Sequence, residues 1–301
     1  MRFGPAGNAE RFYAEGFKAS VQAPEWLAAQ GLTAYEYSFG RGVSLSDETA
    51  ADICAQAERW GISVSVHAPY YINLANPDPE KREASFRYIL DAAKKAAVLG
   101  GRRVVVHVGA AMKMERSEAL TNCRAGLIEA YRRLDDIGLE QTILCPETMG
   151  KYSQIGDLRE TLDFCLLDEH MLPCIDFAHL HAAGCGCIRS RRDFAAMLDR
   201  AEEILGKARM QAFHIHFSHI EFTAAGEKRH RTFAEEGFGP DFAELAPELA
   251  ARGMTPTVIC ESAGTQAADA AQMQKIYLAC LQKKLNFGRV DPSQRYANVV
   301  K

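Results

Sequence analysis

The feature that most constrains this chain is an alternation of short apolar strand patterns with longer helical patterns, repeated eight times from end to end. The strand patterns are rich in Val, Ile and aromatic residues; they cover 2–4, 34–37, 63–67, 103–107, 142–147, 173–176, 211–217 and 257–261. The helical patterns cover 24–30, 46–60, 80–99, 117–137, 157–166, 192–205, 242–251 and 268–283. Eight strands that alternate with eight helices favour a closed parallel sheet, the α/β (β/α)8 TIM barrel, over an open sheet.

The domain organisation follows from length and continuity. A single barrel commonly occupies a chain of 301 residues. No linker or shift in composition interrupts the alternation, so we expect one barrel over residues 1–284. Residues 285–301 lack clear periodicity and are predicted to form a C-terminal tail.

Composition narrows the class of protein. The chain is 48% hydrophobic and 25% charged, as in ordinary globular proteins, and it has no apolar run long enough to span a membrane. Residues 1–5 lack the order of a signal peptide, and the nine cysteines are odd in number and scattered, so a cytoplasmic location is expected. The chain is expected to be a monomer, and the sequence indicates no protein partner. The net charge of −4 gives no general attraction to nucleic acid.

Chemistry is concentrated at the strand ends. The C-terminal ends of barrel strands build the active sites of such folds. A structural role explains any one strand-end residue, but six successive ends with this chemistry favour one shared site. The residues are His67, His107, Glu147, Asp176, His216 and Glu261, with His179 three residues after Asp176.

These residue types indicate a metal site. Imidazoles and carboxylates without paired thiolates suit Zn²⁺, with Mn²⁺ or Fe²⁺ as alternatives. Three histidines with three carboxylates exceed what one tetrahedral ion uses, so two ions are predicted, with Glu147 on the middle strand as the shared ligand. On the seventh strand His214 and His216 both point inward; His216 lies nearer the C-terminal rim and is predicted as the ligand, leaving His214 in the core.

At these positions the sequence resembles the endonuclease IV family of abasic-site DNA repair enzymes, part of the xylose-isomerase-like barrel superfamily. The resemblance rests on HAPYYINL at 67–74, His107, PET at 146–148, DFAHLHAAG at 176–184, His216 and ES at 261–262. It implies metal-dependent hydrolysis of the DNA phosphodiester 5′ to abasic sites, with damaged duplex DNA as the partner. It assigns one ion to His67, His107 and Glu147, a second to Glu147, Asp176, His216 and Glu261, and catalytic roles to Glu147 and Glu261.

One family feature is altered. The family holds a third ion with a histidine after strand six and an Asp-x-His after strand seven. His179 and His230 are present here, but the aspartate position is Lys228, and an ammonium cannot bind a cation. The third site is therefore expected to be weak or absent, with the Lys228 charge in its place and in contact with a substrate phosphate. A solvated loop is the alternative for this segment.

The substrate remains open between two classes. Residues 38–42, which include Arg41, do not reproduce the DNA-contacting loop of the family. Arg41 lies in a loop on the metal face, and Tyr70 and Tyr71 either stack on bases at an abasic gap or pack the barrel mouth. The alternative function is a sugar isomerase or epimerase of the same superfamily, with one divalent ion and proton transfer by Glu147 and Glu261. A non-catalytic binding barrel is a third possibility, disfavoured by the intact strand-end ligands.

Overall fold

Eight parallel strands form the barrel that the alternating pattern predicts. The computed structural model describes residues 1–288, with side chains to residue 284. The barrel strands are Arg2–Pro5, Ala34–Ser38, Ser63–His67, Arg103–Val106, Ile143–Pro146, Cys174–Asp176, His214–Phe217 and Thr257–Cys260.

The barrel consists of two four-stranded parallel sheets. Barrel strands two to five form the first half-barrel, and strands six, seven, eight and one, in that spatial order, form the second. Single parallel bridges, Ala6 with Glu36 and Glu147 with Cys174, join the halves at two seams. At the first seam a Cβ on Gly4 would lie 1.8 Å from the Ala34 carbonyl oxygen, so only glycine permits this approach of the first two strands.

The outer helices begin and end at recognisable signals. The helix after barrel strand two begins at the cap Ser46, whose hydroxyl accepts from the Thr49 amide, and ends at Gly61 with a φ of 68°. The helices are Glu10–Ala14, Ala23–Ala29, Asp47–Trp60, Pro79–Val98, Arg116–Asp136, Leu158–Cys165, Phe177–Ala183, Arg191–Met210, Phe242–Arg252 and Gln266–Gly288, with a 3₁₀ turn at Ser20–Gln22. Among residues 1–288, no helix has the length and apolarity needed to cross a membrane.

Several elements differ from the prediction. The sequence did not indicate the short helix Phe177–Ala183 or the antiparallel hairpin His219–Thr223 and Gly226–Arg231. The seventh strand begins at His214 rather than at residue 211, because the preceding helix runs to Met210. The last helix reaches Gly288, four residues into the predicted tail of 285–301, and residues 289–301 of that tail lie outside the described residues.

Two different environments hold the barrel together. Between strands and helices the core is apolar and aromatic; the Phe217 and Phe242 ring centroids, for example, are 5.1 Å apart in an edge-to-face arrangement. Each such buried ring contributes roughly 1.5–3 kcal/mol to folding. Inside the barrel, by contrast, Glu36, Ser65 and His214 are buried polar groups. This polar interior lies directly beneath the candidate site.

Candidate metal centre

Glu147 is the centre of the site. It follows the fifth barrel strand, and its side chain is fully buried. Its Oε2 lies 3.1 Å from His67 Nε2 and 2.9 Å from His107 Nε2, whereas its Oε1 lies 2.9 Å from His216 Nδ1. The two oxygens therefore face different histidines, which is the geometry of a carboxylate that can serve two cations at once.

The electrostatics of this cluster are strongly coupled. Burial alone would raise the pKa of Glu147, but His216 and His107 hold that pKa well below its usual range. Burial lowers the pKa of His67, and the stronger influence of the Glu147 hydrogen bond and charge raises it to about 9. Without metal, the negative charge of the carboxylate is thus balanced by protons on imidazoles, which a divalent cation would displace.

A second group of ligand atoms lies beside the first. Glu147, Asp176, His216 and Glu261 each place one ligand atom within 4.8 Å of the others. Asp176 Oδ1 accepts from the His179 amide at 2.7 Å and so caps the short helix, whereas its Oδ2 is buried, makes no hydrogen bond and lies 3.4 Å from His179 Nδ1. A buried carboxylate oxygen without a donor is costly unless a cation faces it, so the residues present fit a divalent metal.

A third group of ligands comes from the segments that the sequence did not predict. His179 lies on the short helix and His230 on the hairpin, and with Glu261 their ligand atoms lie within 4.8 Å of one another. Glu227 adds a carboxylate: its Oε2 is 3.7 Å from His179 Nε2 and its Oε1 is 4.0 Å from His230 Nε2. Glu227 was not among the residues singled out from the sequence.

Lys228 does not occupy the position expected from the sequence. Its side chain is 53% exposed and pairs with Glu221, away from His179 and His230. The hairpin register explains why: Arg229 pairs with Glu221 and Glu227 with Phe222, so Lys228 is the extra residue of a β-bulge. In a regular strand residues two apart share a face, but the bulge gives the shared face to Glu227 and His230, three apart.

Two tyrosines stand at the rim beside His67. Tyr70 and Tyr71 follow the third barrel strand and are 49% and 52% exposed, with ring centroids 4.3 Å apart. The Tyr70 hydroxyl donates to that of Tyr71 at 3.0 Å, and the Tyr70 amide donates to the Gly40 carbonyl, which ties this turn to the loop that carries Arg41. Both rings are therefore half-exposed on the metal side of the barrel.

A further carboxylate, Glu36, lies beneath the cluster. It is fully buried inside the second strand, and its Oε1 is 2.9 Å from His216 Nε2. Its Oε2 accepts from Ser65 Oγ at 2.8 Å and is 3.0 Å from His214 Nε2. Burial lowers the pKa of His214 to about 4, so this imidazole is neutral. Glu36 lies within a strand, so it does not belong to the strand-end pattern of the sequence. The available signal was its position two residues before Ser38, which puts both side chains on the same face of the strand.

Comparison with known proteins identifies the family of this chain. A sequence profile of the family described as "Xylose isomerase-like TIM barrel" matches residues 24–280. An uncharacterized protein of Methanocaldococcus jannaschii is 34% identical over 258 residues, 85% of this chain and 91% of that protein. A protein named probable endonuclease 4 from Mycoplasmoides gallisepticum is 31% identical over 164 residues, 52% of this chain and 51% of that protein.

Solved structures with the same fold carry different names. The crystal structure of a D-tagatose 3-epimerase-like protein has a TM-score of 0.72 at 19% identity and covers 95% of this chain and 100% of its own. Endonuclease IV from Thermus thermophilus has a TM-score of 0.68 at 21% identity, covering 94% of this chain and 100% of its own. At such identities the structural likeness shows the fold alone. The sequence matches support the resemblance to endonuclease IV, and the chain belongs to the xylose isomerase-like TIM barrel family.

Proposed function

We infer that this protein is a metal-dependent phosphodiesterase that incises duplex DNA 5′ to abasic sites. The observation that carries the proposal is Glu147, whose two oxygens face separate histidine groups at 2.9–3.1 Å. A pair of cations that share one carboxylate is the arrangement suited to in-line displacement at phosphorus. The relatives named probable endonuclease 4 support this reaction class.

The donor set determines where cations would bind. His67, His107 and Glu147 would hold one ion, and Glu147, Asp176, His216 and Glu261 a second, with Zn²⁺ as the first choice and Mn²⁺ or Fe²⁺ as alternatives. When bound, such ions lower the pKa of a water molecule and offset charge that develops on a phosphoryl group. Glu227, His179 and His230 provide the donors of a weaker third position, so Glu227 is proposed as a metal ligand in addition to the two histidines.

Within the cluster the carboxylates differ in access. Glu147 is fully buried and Asp176 nearly so, whereas 17% of the Glu261 side chain is exposed. Glu261 is therefore the carboxylate that can contact a water or a phosphate arriving from the rim. We assign Glu147 to holding the geometry and Glu261 to orienting the attacking water, the two proposed catalytic carboxylates.

Substrate contacts are proposed on the rim. The half-exposed rings of Tyr70 and Tyr71 have the size and exposure to stack on bases at an abasic gap. Arg41, in the adjoining loop, and Lys228, on the exposed side of the hairpin, are proposed phosphate contacts. A cytoplasmic location and a monomeric state stay predictions from the sequence.

A sugar isomerase or epimerase is the second candidate. The likeness to the D-tagatose 3-epimerase-like structure favours it, because the two folds align over 95% of this chain. In that case one ion and the pair Glu147 and Glu261 would serve proton transfer on a keto-sugar. The three strand-end histidines around Glu147 and Glu261 exceed what such a site requires and favour the phosphodiesterase.

The deciding experiment uses a duplex with one abasic analogue. We expect the 301-residue protein to incise it only in the presence of a divalent metal, with loss of incision in a chelator and recovery after zinc is restored. An intact duplex alongside metal-dependent turnover of a small ketose would overturn the proposal in favour of the epimerase.

Substrate contact is tested with Tyr70→Ala and the same duplex: we expect about tenfold weaker duplex binding with unchanged metal content. Trp60→Ala, an exposed aromatic at the opposite end of the barrel, serves as the matched control.

A further inference from the structure

The buried carboxylate of Glu36 has no part in the proposed chemistry, yet it lies against a proposed ligand. His216 is fully buried between two carboxylates, with Nδ1 2.9 Å from Glu147 Oε1 and Nε2 2.9 Å from Glu36 Oε1. Glu36 comes from the second strand, in the first half-barrel, whereas His216 comes from the second half-barrel. The two ring nitrogens are therefore presented to different groups from opposite sides.

The tautomer of a metal-binding histidine depends on the group that faces its second ring nitrogen. A neutral histidine that binds a cation through one ring nitrogen carries its proton on the other, and the group that accepts that proton sets both tautomer and ring orientation. Only Nδ1 of His216 faces the ligand group of Glu147 and Glu261. The proton must then lie on Nε2, and Glu36 Oε1 is 2.9 Å from that nitrogen. Both atoms are buried and neither makes a hydrogen bond with the side chains as they stand, so a small rotation of the ring that points Nε2–H at Oε1 would satisfy both.

We propose that Glu36 is a positioning residue: when a cation binds Nδ1 of His216, Glu36 Oε1 accepts a hydrogen bond from Nε2–H and so holds Nδ1 toward the cation. This inference rests on the metal binding in the proposed function, but not on DNA as the substrate. Glu36 is itself held in place, because Ser65 Oγ donates to its Oε2 and His214 packs against the same oxygen. Its carboxylate thus cannot turn away without losing both contacts.

A purely structural role explains less. A buried carboxylate is expensive, and apolar side chains of similar volume are often as stable or more stable at such positions. The surrounding barrel layer accepts small or apolar side chains, since Val105, Cys145 and Cys174 form a buried cluster there. The proposed role of Glu36 in orienting the His216 ring explains why a charged residue is buried at this position.

The test compares zinc affinity in variants of the 301-residue chain. Glu36→Gln keeps the volume and removes the charge; we expect zinc affinity to fall by about 10- to 100-fold, with unchanged far-ultraviolet circular dichroism. Glu248→Gln is the matched control, because Glu248 is also a buried carboxylate but pairs with Arg191 and Arg252, away from the site. We expect its zinc affinity to equal that of the wild type. Zinc affinity is measured by competition with a chromophoric chelator.

A second readout does not depend on the variants. Long-range ¹H–¹⁵N spectra of the zinc-loaded wild type report directly which nitrogen of His216 carries the proton, and we expect Nε2. A proton on Nδ1, wild-type zinc affinity in Glu36→Gln, or an equal loss in Glu248→Gln would each overturn the inference. A wild-type protein that binds zinc but leaves abasic DNA intact would overturn the proposed function alone, whereas one that binds no zinc would overturn both.

Discussion

Two parts of the candidate site lie on the same face of the barrel but come from different kinds of structural element. The strand group, His67, His107 and Glu147, comes from the ends of neighbouring strands, and its ligand atoms are 2.9–3.1 Å apart. The hairpin group, His179, Glu227 and His230, comes from a short helix and a bulged hairpin, and its corresponding distances are 3.7–4.0 Å. Strand ends are fixed by the ladders of the barrel, whereas the hairpin is fixed mainly by its own contacts. The strand group is therefore the more preorganised of the two.

The largest effect is expected where the strand group meets the rest of the site. Glu147→Gln removes the charge that faces His67, His107 and His216, so the content of tightly bound metal should fall and metal-dependent incision should drop by more than about 100-fold. Metal content is measured by elemental analysis after dialysis, and incision with the abasic duplex. Glu160→Gln, a buried capping carboxylate on an outer helix, is the control. Unchanged metal content in Glu147→Gln would contradict the shared-ligand assignment.

A smaller effect is expected in the hairpin group, where two neighbouring residues can be compared directly. Glu227→Gln should weaken one cation position by about tenfold and leave the others intact. Lys228→Gln should leave metal content unchanged, because the Lys228 ammonium pairs with Glu221 on the exposed side. Titration of the metal-free variants with zinc measures both. A loss of zinc in Lys228→Gln equal to that in Glu227→Gln would argue against the bulged register.

The smallest effect concerns the ion pairs that hold the hairpin. Hydrogen bonds from Lys228, Arg229 and Arg231 lower the pKa of Glu221 to about 2, from an ordinary value of 4.5. A depressed folded-state pKa gives a stabilising contribution that is present above about pH 4.5 and is lost as the pH falls toward 2. The protection factors of the hairpin amides against hydrogen exchange should therefore fall modestly over this range, since exposed pairs contribute little. The same amides in Glu221→Gln should lack this pH dependence.

The strand group was within reach of the sequence. His67, His107 and Glu147 lie where period-two strands stop, and in a parallel barrel all such ends meet at one face. The barrel itself followed from the alternation of strands and helices, which the structure confirms. The proximity of His67 and His107 to Glu147 could be predicted without the loops, because the strand ladder alone sets the spacing of neighbouring strand ends.

Other residues of the site could not be predicted from the periodicity of strands and helices. Glu227 reaches the site because one extra residue, Lys228, is inserted into the hairpin ladder, and nothing in the local sequence of residues 226–231 marks that bulge. The short helix that carries His179 is capped by Asp176, a residue read from the sequence only as a ligand. Glu36 lies in the interior of a strand and so outside the strand-end pattern, although the inner face of a barrel continues below the rim.

The two seams of the barrel have a consequence for stability. Glu147 lies at the end of the first half-barrel, whereas Asp176, His216 and Glu261 belong to the second, so a cation held by this group is a cross-link between the halves. Ligand that binds only the assembled state adds RT ln(1 + [L]/Kd) to its stability, about 2.7 kcal/mol at one hundred times Kd. With metal bound as proposed, the thermal resistance of this barrel would be coupled to metal supply, and scarcity of metal would weaken the seams before it weakened the helices.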